Sequence, residues 1–360
     1  METGLILASA LIAFATTTVL MVALRPLAFT VGLLDAPGGR KFHQGYVPII
    51  GGLAMFAGVF TGLLLLPYPA SPIHSIFAAS LILVVVGGVD DRFHLPASVR
   101  ISSQIVATLL MVYGAGLKLS DIGDPFGTGI ISMGSFSLVF TMLVTLTMIN
   151  AYNLVDGADG LAGALTLIAL LSVALVSDIH QPSAAAALTV SSAIVGFLLF
   201  NFPTPWNQRL RSFMGDAGST MLGFAVVWIT LGVSQGEARA ISPVHCLWFA
   251  SIPIYDCLTC FVRRAMKGRS PFSPGRDHFH HILFRGGFGV RQALAILTGL
   301  QLLYALIAIV AHFAGVADVV MFTAWSLLFV TQRKVIRQIG RLHRCYKLKK
   351  LRRLRAQAAA

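Results

Sequence analysis

Residues 148–163 read MINAYNLVDGADGLAG and limit what kind of protein the chain can form. One apolar run ends in this segment and another begins at Leu161. The segment also holds Asp156 and Asp159, although the chain has only 14 acidic residues among 360. An acid at the centre of a bilayer costs about 2.5–3.5 kcal/mol. We therefore expect the segment to lie at a membrane boundary, between two spans.

The composition also predicts a membrane protein. Hydrophobic residues make up 56% of the chain and charged residues 11%, and the mean hydropathy is +0.80; about a quarter of a soluble domain is charged. The first apolar run follows Glu2 rather than a basic segment and is long enough to span, so we expect a retained helix. Cys257 and Cys260 form a CxxC without a second pair, which favours two small residues packed in a helix over a zinc site.

Apolar runs of about 20 residues predict an all-α polytopic bundle of about eleven transmembrane helices. Their centres lie near Ala15, Phe56, Leu83, Leu109, Leu143, Leu170, Ile194, Val226, Phe249, Leu302 and Trp325. With the N-terminus outside and the C-terminus in the cytoplasm, 25 of the 27 basic residues fall on the cytoplasmic side, as the positive-inside rule requires. The net charge of +13 is then explained by topology and by attraction to anionic membrane lipids, not by nucleic-acid binding.

Two domains are expected along the chain. Residues 1–332 would form the transmembrane domain. Residues 333–360 contain eleven lysines and arginines and would form a basic cytoplasmic tail.

The acids collect in glycine-rich settings at span ends, as GGVDD at 87–91, DGADG at 156–160 and MGDAGS at 214–219. Glycine lets a ligand approach the backbone, and a helix N-terminus attracts phosphate. We expect DGADG to begin a helix with both carboxylates on one face. Because carboxylates repel phosphate, a bridging Mg²⁺ is predicted. The alternative is a proton- or ion-coupled transporter, although acids in transporters usually lie near the membrane midplane.

A second polar cluster, SPFSPGRDHFHHILFRGG at 270–287, contains Arg276, His278, His280 and His281. Arginine and histidines in a proline-anchored loop suit an anionic diphosphate. Zinc is the alternative, but adjacent His280 and His281 cannot easily face one ion, and no third ligand is fixed nearby. Lys41 is a weaker candidate for phosphate contact, since topology also explains it. Asn201 lies near a helix end, where it could be a plain cap.

Four strings, taken together, link the chain to a known family: GGVDDRFHLPASVRISSQ (87–104), NAYNLVDGADGLAGAL (150–165), FMGDAGSTMLGF (213–224) and SPFSPGRDHFHHIL (270–283). Over nearly its whole length the chain resembles the polyprenyl-phosphate N-acetylhexosamine-1-phosphate transferases. The HFHH form resembles the members that use N-acetylglucosamine, whereas the cell-wall pentapeptide-sugar members carry consecutive histidines.

The resemblance implies transfer of N-acetylglucosamine 1-phosphate from UDP-GlcNAc to undecaprenyl phosphate, with release of UMP. It implies dependence on Mg²⁺, with Mn²⁺ as a substitute, and a bundle of ten or eleven helices with a cytoplasmic cleft. The expected place is the bacterial inner membrane, where the reaction starts synthesis of lipopolysaccharide O-antigen or a related surface glycan. Dimers are common in the family, so a homodimer is expected.

Residue roles carry over from the matching strings. The resemblance implies metal ligands at Asp216 and Asp156, and a catalytic group of Asp90, Asp91, Asp156 and Asp159. It implies substrate contacts from Arg100, Asn153, Asn201, Phe213, Arg276, His278, His280 and His281, with Phe213 at a position that stacks on the nucleobase.

Overall fold

The computed structural model describes residues 2–36, 45–68, 70–204, 209–268 and 278–359. Apart from one antiparallel pair of two-residue strands, β1 (Leu34–Asp35) and β2 (Val47–Pro48), these ranges are mostly helical. The helices are α1 (Glu2–Val31), α2 (Gly51–Leu63), α3 (Ala70–Phe93), α4 (Ala97–Leu109), α5 (Ser137–Val155), α6 (Leu161–Val176), α7 (Pro182–Asn201), α8 (Gly215–Ser234), α9 (Pro243–Phe249), α10 (Ser251–Ala265), α11 (Phe279–Arg285), α12 (Val290–Phe313) and α13 (Asp318–Ala359). A π-helical turn, Leu110–Gly114, continues α4, and a 3₁₀ turn, Gly134–Phe136, leads into α5.

Eight helices in the described ranges are long and apolar enough to cross a membrane. The pair α9 and α10, bent by 87° at Ala250, adds a ninth crossing if it is one broken span. Helices α2 and α6 are apolar but shorter, at 13 and 16 residues. All eleven predicted centres fall in these helices, whereas length supports eight or nine crossings. The chain is thus an all-α, multi-pass membrane protein.

Helix α8 lies at the centre of the bundle, and most of its residues are buried. Two glycines bring neighbouring helices against it. A Cβ on Gly87 of α3 would lie 2.5 Å from the Ala217 backbone, and one on Gly223 of α8 would lie 2.7 Å from the Ile149 backbone in α5. Small residues permit such close contacts between helices in a membrane. The C-terminal ends of α3 and α5 and the N-terminal end of α8 therefore meet at one end of the bundle.

The loop before α8 is fixed to the segment before α2. Phe213 donates its N–H to the carbonyl of Pro48 at 2.9 Å, and its own carbonyl accepts from Gly51 at 2.9 Å. This backbone pairing continues β2 and sets the position at which α8 begins.

Helix α13 has 42 residues and at about 1.5 Å per residue is about 63 Å long, roughly twice the hydrocarbon thickness of a bilayer. It continues through residue 333 without a break. Beyond that point Ile336 is fully buried, and a Cβ on Gly286, after α11, would lie 2.6 Å from Gly340. This half of α13 therefore packs against α11, the helix that carries His280 and His281. The domain boundary between residues 332 and 333 stays a prediction.

Candidate active site

The meeting ends of α3, α5 and α8 border a cavity of about 360 Å³, here named the first cavity, which α4, α10 and α11 complete. Asp90, Asp156 and Asp216 line it, each from a different part of the chain. Two cations line it as well, Arg100 of α4 and Arg264 of α10, the latter only 5% exposed. Acids from three separate span ends therefore share one hollow.

Arg100 lies between two of these carboxylates. Oδ1 of Asp90 accepts a hydrogen bond from the Leu95 backbone N–H at 2.6 Å, and Oδ2 accepts one from Nη1 of Arg100 at 3.3 Å. The same Nη1 lies 3.8 Å from Oδ2 of Asp216. The guanidinium thus reduces the repulsion between carboxylates that α3 and α8 bring together.

Asp91 has a different role from its neighbour. Its Oδ1 accepts from the backbone N–H of Asp216 at 2.8 Å, and its Oδ2 accepts from that of Ala217 at 3.4 Å. Helix α8 has no side-chain cap of its own, and the first N–H groups of a helix have no partner within it. Asp91 therefore caps α8 from α3, and it lines the second cavity described below, whereas Asp90 lines the first.

The DGADG string does not begin a helix, contrary to the expectation. Asp156 ends α5, and Gly160, with φ 74°, precedes α6, so the string forms the turn between the two helices. Asp159 instead forms an ion pair with Arg211, and the two carboxylates do not share a helix face. The glycines explain the difference, because Gly160 adopts a left-handed conformation that interrupts the helix.

The environment of Asp156 disfavours its charged form. Burial raises the pKa of its carboxyl well above the usual range, and the neighbouring carboxylates, led by that of Asp216, raise it further. A cation placed between these carboxylates would relieve both effects.

Asp216 lies in the first turn of α8, where Asn153 of α5 orients it. Nδ2 of Asn153 donates to Oδ1 of Asp216 at 2.7 Å and to Oγ of Ser219 at 3.0 Å. Asn153, Asp156 and Asp216 line the first cavity and also a second one, described below. With Gly157, which also lines both cavities, these residues form the boundary between the two hollows.

The histidines complete the wall of the first cavity, which His278, His280 and His281 all line. His280 is 2% exposed, and neither of its ring nitrogens has a hydrogen-bond partner among the described residues. Burial, with like charge from His281 and His278, lowers the pKa of His280, so it is neutral. A Cβ on Gly157 would lie 2.5 Å from Nε2 of His280. Helix α11, here called the histidine helix, therefore packs directly against the α5–α6 turn.

His278 has a different environment. Its Nδ1 lies 2.9 Å from Oδ2 of Asp256 and 3.6 Å from Sγ of Cys260. Burial by itself would lower the pKa of His278, but the bonds to Asp256 and Cys260 outweigh it and raise the pKa to about 10. His278 is therefore cationic at neutral pH and suits an anionic ligand.

The same contacts place one cysteine of the CxxC beside His278. Cys257 and Cys260 are free and buried in α10, as expected of small packed residues. However, one ligand atom each of Asp256, Cys260 and His278 lie within 4.8 Å of one another. His278 thus has the nearby partners that the sequence did not reveal.

The second cavity, of about 800 Å³, lies on the other side of Asp216. Phe213, Asp91, Asp159 and Asn201 line it, and the guanidinium of Arg211 lies 5.2 Å from the Phe213 ring centroid. It therefore combines an aromatic face with charged groups of both signs.

The side chain of Asn201 joins two loops. Its Oδ1 accepts from the Gly160 N–H at 2.7 Å, and its Nδ2 donates to the Ser212 carbonyl at 2.9 Å. It therefore shapes the second cavity. Lys41 and Arg276 lie outside the described residues.

Comparison with known proteins identifies the family. The model of glycosyl transferase family 4 matches residues 73–234. An undecaprenyl-phosphate alpha-N-acetylglucosaminyl 1-phosphate transferase of Yersinia pestis is 36% identical over 92% of each chain. Proteins of the same name from Escherichia coli K12 and Pasteurella multocida are 35% and 34% identical, over 95% and 94% of this chain and 94% and 95% of theirs. The chain belongs to glycosyl transferase family 4.

The segment that matches the family model includes the ends of α3, α5 and α8, and with them the aspartates of the first cavity. The histidine helix lies beyond that segment but within the length shared with these relatives. As a family 4 glycosyl transferase, the chain is an enzyme, and residues of both regions line the first cavity.

Three site residues were missed from the sequence. Arg211 and Arg264 were counted only toward the positive-inside rule, although they line the second and first cavities, respectively. No motif in the sequence points to Asp256, which lies 2.9 Å from Nδ1 of His278. A charged residue within an apolar run is costly, and that cost was the signal available for Asp256 and Arg264.

Proposed function

We propose that this family 4 glycosyl transferase transfers N-acetylglucosamine 1-phosphate from UDP-GlcNAc to undecaprenyl phosphate, giving undecaprenyl-diphosphate-GlcNAc and UMP. The names of the relatives support the acceptor and the transferred group. The first cavity carries the proposal, because three aspartates and two arginines line one hollow at an end of a membrane bundle. Phosphoryl transfer asks a protein mainly for positioning and for charge neutralisation.

The donor set fits Mg²⁺. Asp216 and Asp156 offer the hard oxygen donors that Mg²⁺ prefers, and both lie at the boundary between the cavities. We propose these two residues as its ligands. When bound, the ion would neutralise diphosphate charge and stabilise the leaving UMP.

The remaining residues of the first cavity position the reactants. A phosphate monoester has a second pKa of about 6, so much of the lipid phosphate is dianionic at neutral pH. A general base is thus less necessary than for attack by a hydroxyl group. We assign Asp90, held by Arg100 at 3.3 Å, to orienting the acceptor, and cationic His278, with His280 and His281, to the sugar nucleotide.

The second cavity supports a site for the nucleotide. Phe213 offers a face on which uracil can stack, and the Asp159–Arg211 pair lies beside it. Asn153 and Asp216 separate this cavity from the first. A nucleotide in the second cavity would therefore extend its diphosphate toward the carboxylates.

We also propose the orientation and setting of the enzyme. The placement of 25 of 27 basic residues supports an N-terminus outside and both cavities on the cytoplasmic face of the inner membrane. There the product would be the first lipid-linked intermediate of lipopolysaccharide O-antigen or a related surface glycan. We propose a homodimer on the resemblance alone.

The test uses purified protein with UDP-GlcNAc, undecaprenyl phosphate and Mg²⁺. We expect release of UMP, which EDTA stops and Mn²⁺ restores, and its loss in Asp216→Ala. The control is Asp178→Asn, because Asp178 follows α6 at the opposite end of the bundle and lines neither cavity. Unchanged turnover in Asp216→Ala would refute the metal assignment. Uptake driven by an ion gradient, with no UMP from any UDP-N-acetylhexosamine, would favour a transporter.

A further inference from the structure

Asp256 is a buried acid to which neither the matching strings nor the proposed reaction assigns a role. It lies in α10, the second half of the bent pair, and is 1% exposed. An isolated buried carboxylate is costly unless it is paired and hydrogen-bonded. The partners of Asp256 therefore indicate why the chain keeps an acid at this position.

Both oxygens of Asp256 bind the start of α11. Oδ1 accepts from the Phe279 backbone N–H at 2.8 Å, and Oδ2 lies 2.9 Å from Nδ1 of His278. His278 is the N-cap residue of α11, and its own side chain makes no capping bond. Asp256 therefore supplies from α10 the acceptor that a capping side chain would otherwise provide.

The contact also determines how His278 meets the first cavity. Because Nδ1 faces Asp256, Nε2 is the ring nitrogen available to the cavity that His278 lines. The hydrogen bond at one ring nitrogen sets the orientation of an imidazole and the proton at its other nitrogen. A carboxylate partner at Nδ1 makes Nε2 a donor when the ring is cationic, as binding of phosphate requires.

We propose that Asp256 is a positioning residue that fixes the ring of His278 and the first turn of α11, so that Nε2 of His278 binds a phosphate oxygen of the sugar nucleotide. This role rests on the proposed function. The bend between α9 and α10 is then the element that brings Asp256 to α11.

The informative variant is Asp256→Asn, which keeps the volume of the side chain. Its amide oxygen can still accept from Phe279, whereas its NH₂ group would donate to Nδ1 of His278 and remove the carboxylate partner. We expect normal folding and a fall in kcat/KM for UDP-GlcNAc of about 10- to 100-fold, the range seen when the hydrogen-bond partner of a metal-bound histidine is lost. The fall should arise mainly in KM, because a phosphate-binding group loses the carboxylate that favours its cationic form.

A double-variant cycle separates positioning from a general structural effect. If Asp256 acts through His278, Asp256→Asn should add little to the loss already caused by His278→Ala. Losses that multiply in the double variant would refute the proposal.

Asp318 provides a matched control at the opposite end of the bundle. Its Oδ1 lies 3.3 Å from Nδ1 of buried His245, and its Oδ2 accepts from the Asp124 N–H at 2.9 Å. Neither Asp318 nor His245 lines either cavity. Asp318→Asn should therefore leave KM and kcat unchanged, and an equal rise in KM in both variants would contradict the proposal.

Two further measurements do not depend on turnover. Exchange of the histidine C2 hydrogen, followed by mass spectrometry against pH, should show a lower titration midpoint for His278 in Asp256→Asn, with that of His281 unchanged. An unchanged His278 midpoint would refute the positioning role, even in a protein that released no UMP and so failed the proposed function. Stoichiometric zinc in the parent, lost in both Asp256→Asn and Cys260→Ser, would replace the proposal with a metal site.

Discussion

The adjacent acids Asp90 and Asp91 should respond differently to substitution, although the sequence predicts a catalytic role for both. Asp91→Ala removes the acceptor for the first N–H groups of α8, of which that of Asp216 is bound at 2.8 Å. Leaving one such donor without a partner costs about 1–3 kcal/mol, and losing a negative charge at a helix N-terminus costs about 0.3–1 kcal/mol more. We therefore expect Asp91→Ala to lower the free energy of unfolding by about 1–4 kcal/mol.

Asp90→Asn should have the opposite profile. The amide oxygen can still accept from Leu95, so the bond at the end of α3 is kept. The lost ion pair involves an Arg100 side chain that is 42% exposed, and such pairs contribute about 0–1 kcal/mol. We therefore expect nearly parental stability with loss of turnover, because the orienting charge is gone.

The assay compares thermal unfolding in detergent, followed by tryptophan fluorescence, with UMP release by the same samples. Asp91→Ala should lower Tm by several degrees and Asp90→Asn should not. An Asp90→Asn protein less stable than Asp91→Ala would refute the assignment of the cap to Asp91.

Three further predictions follow from the site. In steady-state UMP release, Arg211→Met should raise KM for UDP-GlcNAc about 10-fold, the size expected from one charge-assisted hydrogen bond. The control is Arg209→Met at the exposed neighbour, and an equal effect there would contradict a specific role of Arg211. Gly157→Val should abolish turnover without unfolding the spans, because its side chain would meet Nε2 of His280; parental activity in the UMP assay would show that the histidine helix does not rest on this turn. The pKa of His278 is raised in the folded protein to about 10 from 6.5. Its pairing with Asp256 should therefore stabilise the protein fully below pH 6.5 and progressively less as the pH rises toward 10. If the Tm of His278→Gln falls as steeply as that of the parent over this pH range, the ion pair is refuted.

Much of the helical architecture could be predicted because lipid imposes a simple rule on sequence. Every predicted centre, from Ala15 to Trp325, falls in a helix, since a spanning segment must be apolar and satisfy its own backbone. The bend at Ala250 was not predicted, because the apolar run through Phe249 and Ile252 does not break there. The short α2 and α6 fall below the length of a full span, so the count of eleven crossings stays a prediction.

The convergence of the acids could be predicted, but their individual partners could not. Depth in the membrane places Asp90, Asp156 and Asp216 at span ends, and the bundle brings those ends together. Which neighbour each acid meets depends on helix rotation and on close contacts such as that of Gly87 with Ala217. A single sequence contains no direct record of those contacts, so the cap formed by Asp91 emerges only from the structure.

The hydrogen bonds to each carboxylate separate the roles of these acids. Asp91 accepts from two backbone N–H groups, while Asp90 and Asp256 each accept from one and meet one basic side chain. The carboxylate oxygens of Asp90, Asp91 and Asp256 are therefore largely occupied by hydrogen bonds that hold a helix end or orient a basic side chain.

Asp216 and Asp156 differ from them in this respect. In the described part of the chain, the carboxylate of Asp216 meets the side chains of Asn153, Arg100 and Asp90, and no hydrogen bond to the carboxylate of Asp156 is found. Neither carboxylate accepts from a backbone N–H group of the described residues, and the two lie close enough to repel each other. Asp159, by contrast, is already paired with Arg211. A carboxylate pair in this condition is stabilised by a cation far more than one whose oxygens already bind N–H groups. On this physical ground we favour Asp156 and Asp216, among all acids of the site, as the residues that hold the metal.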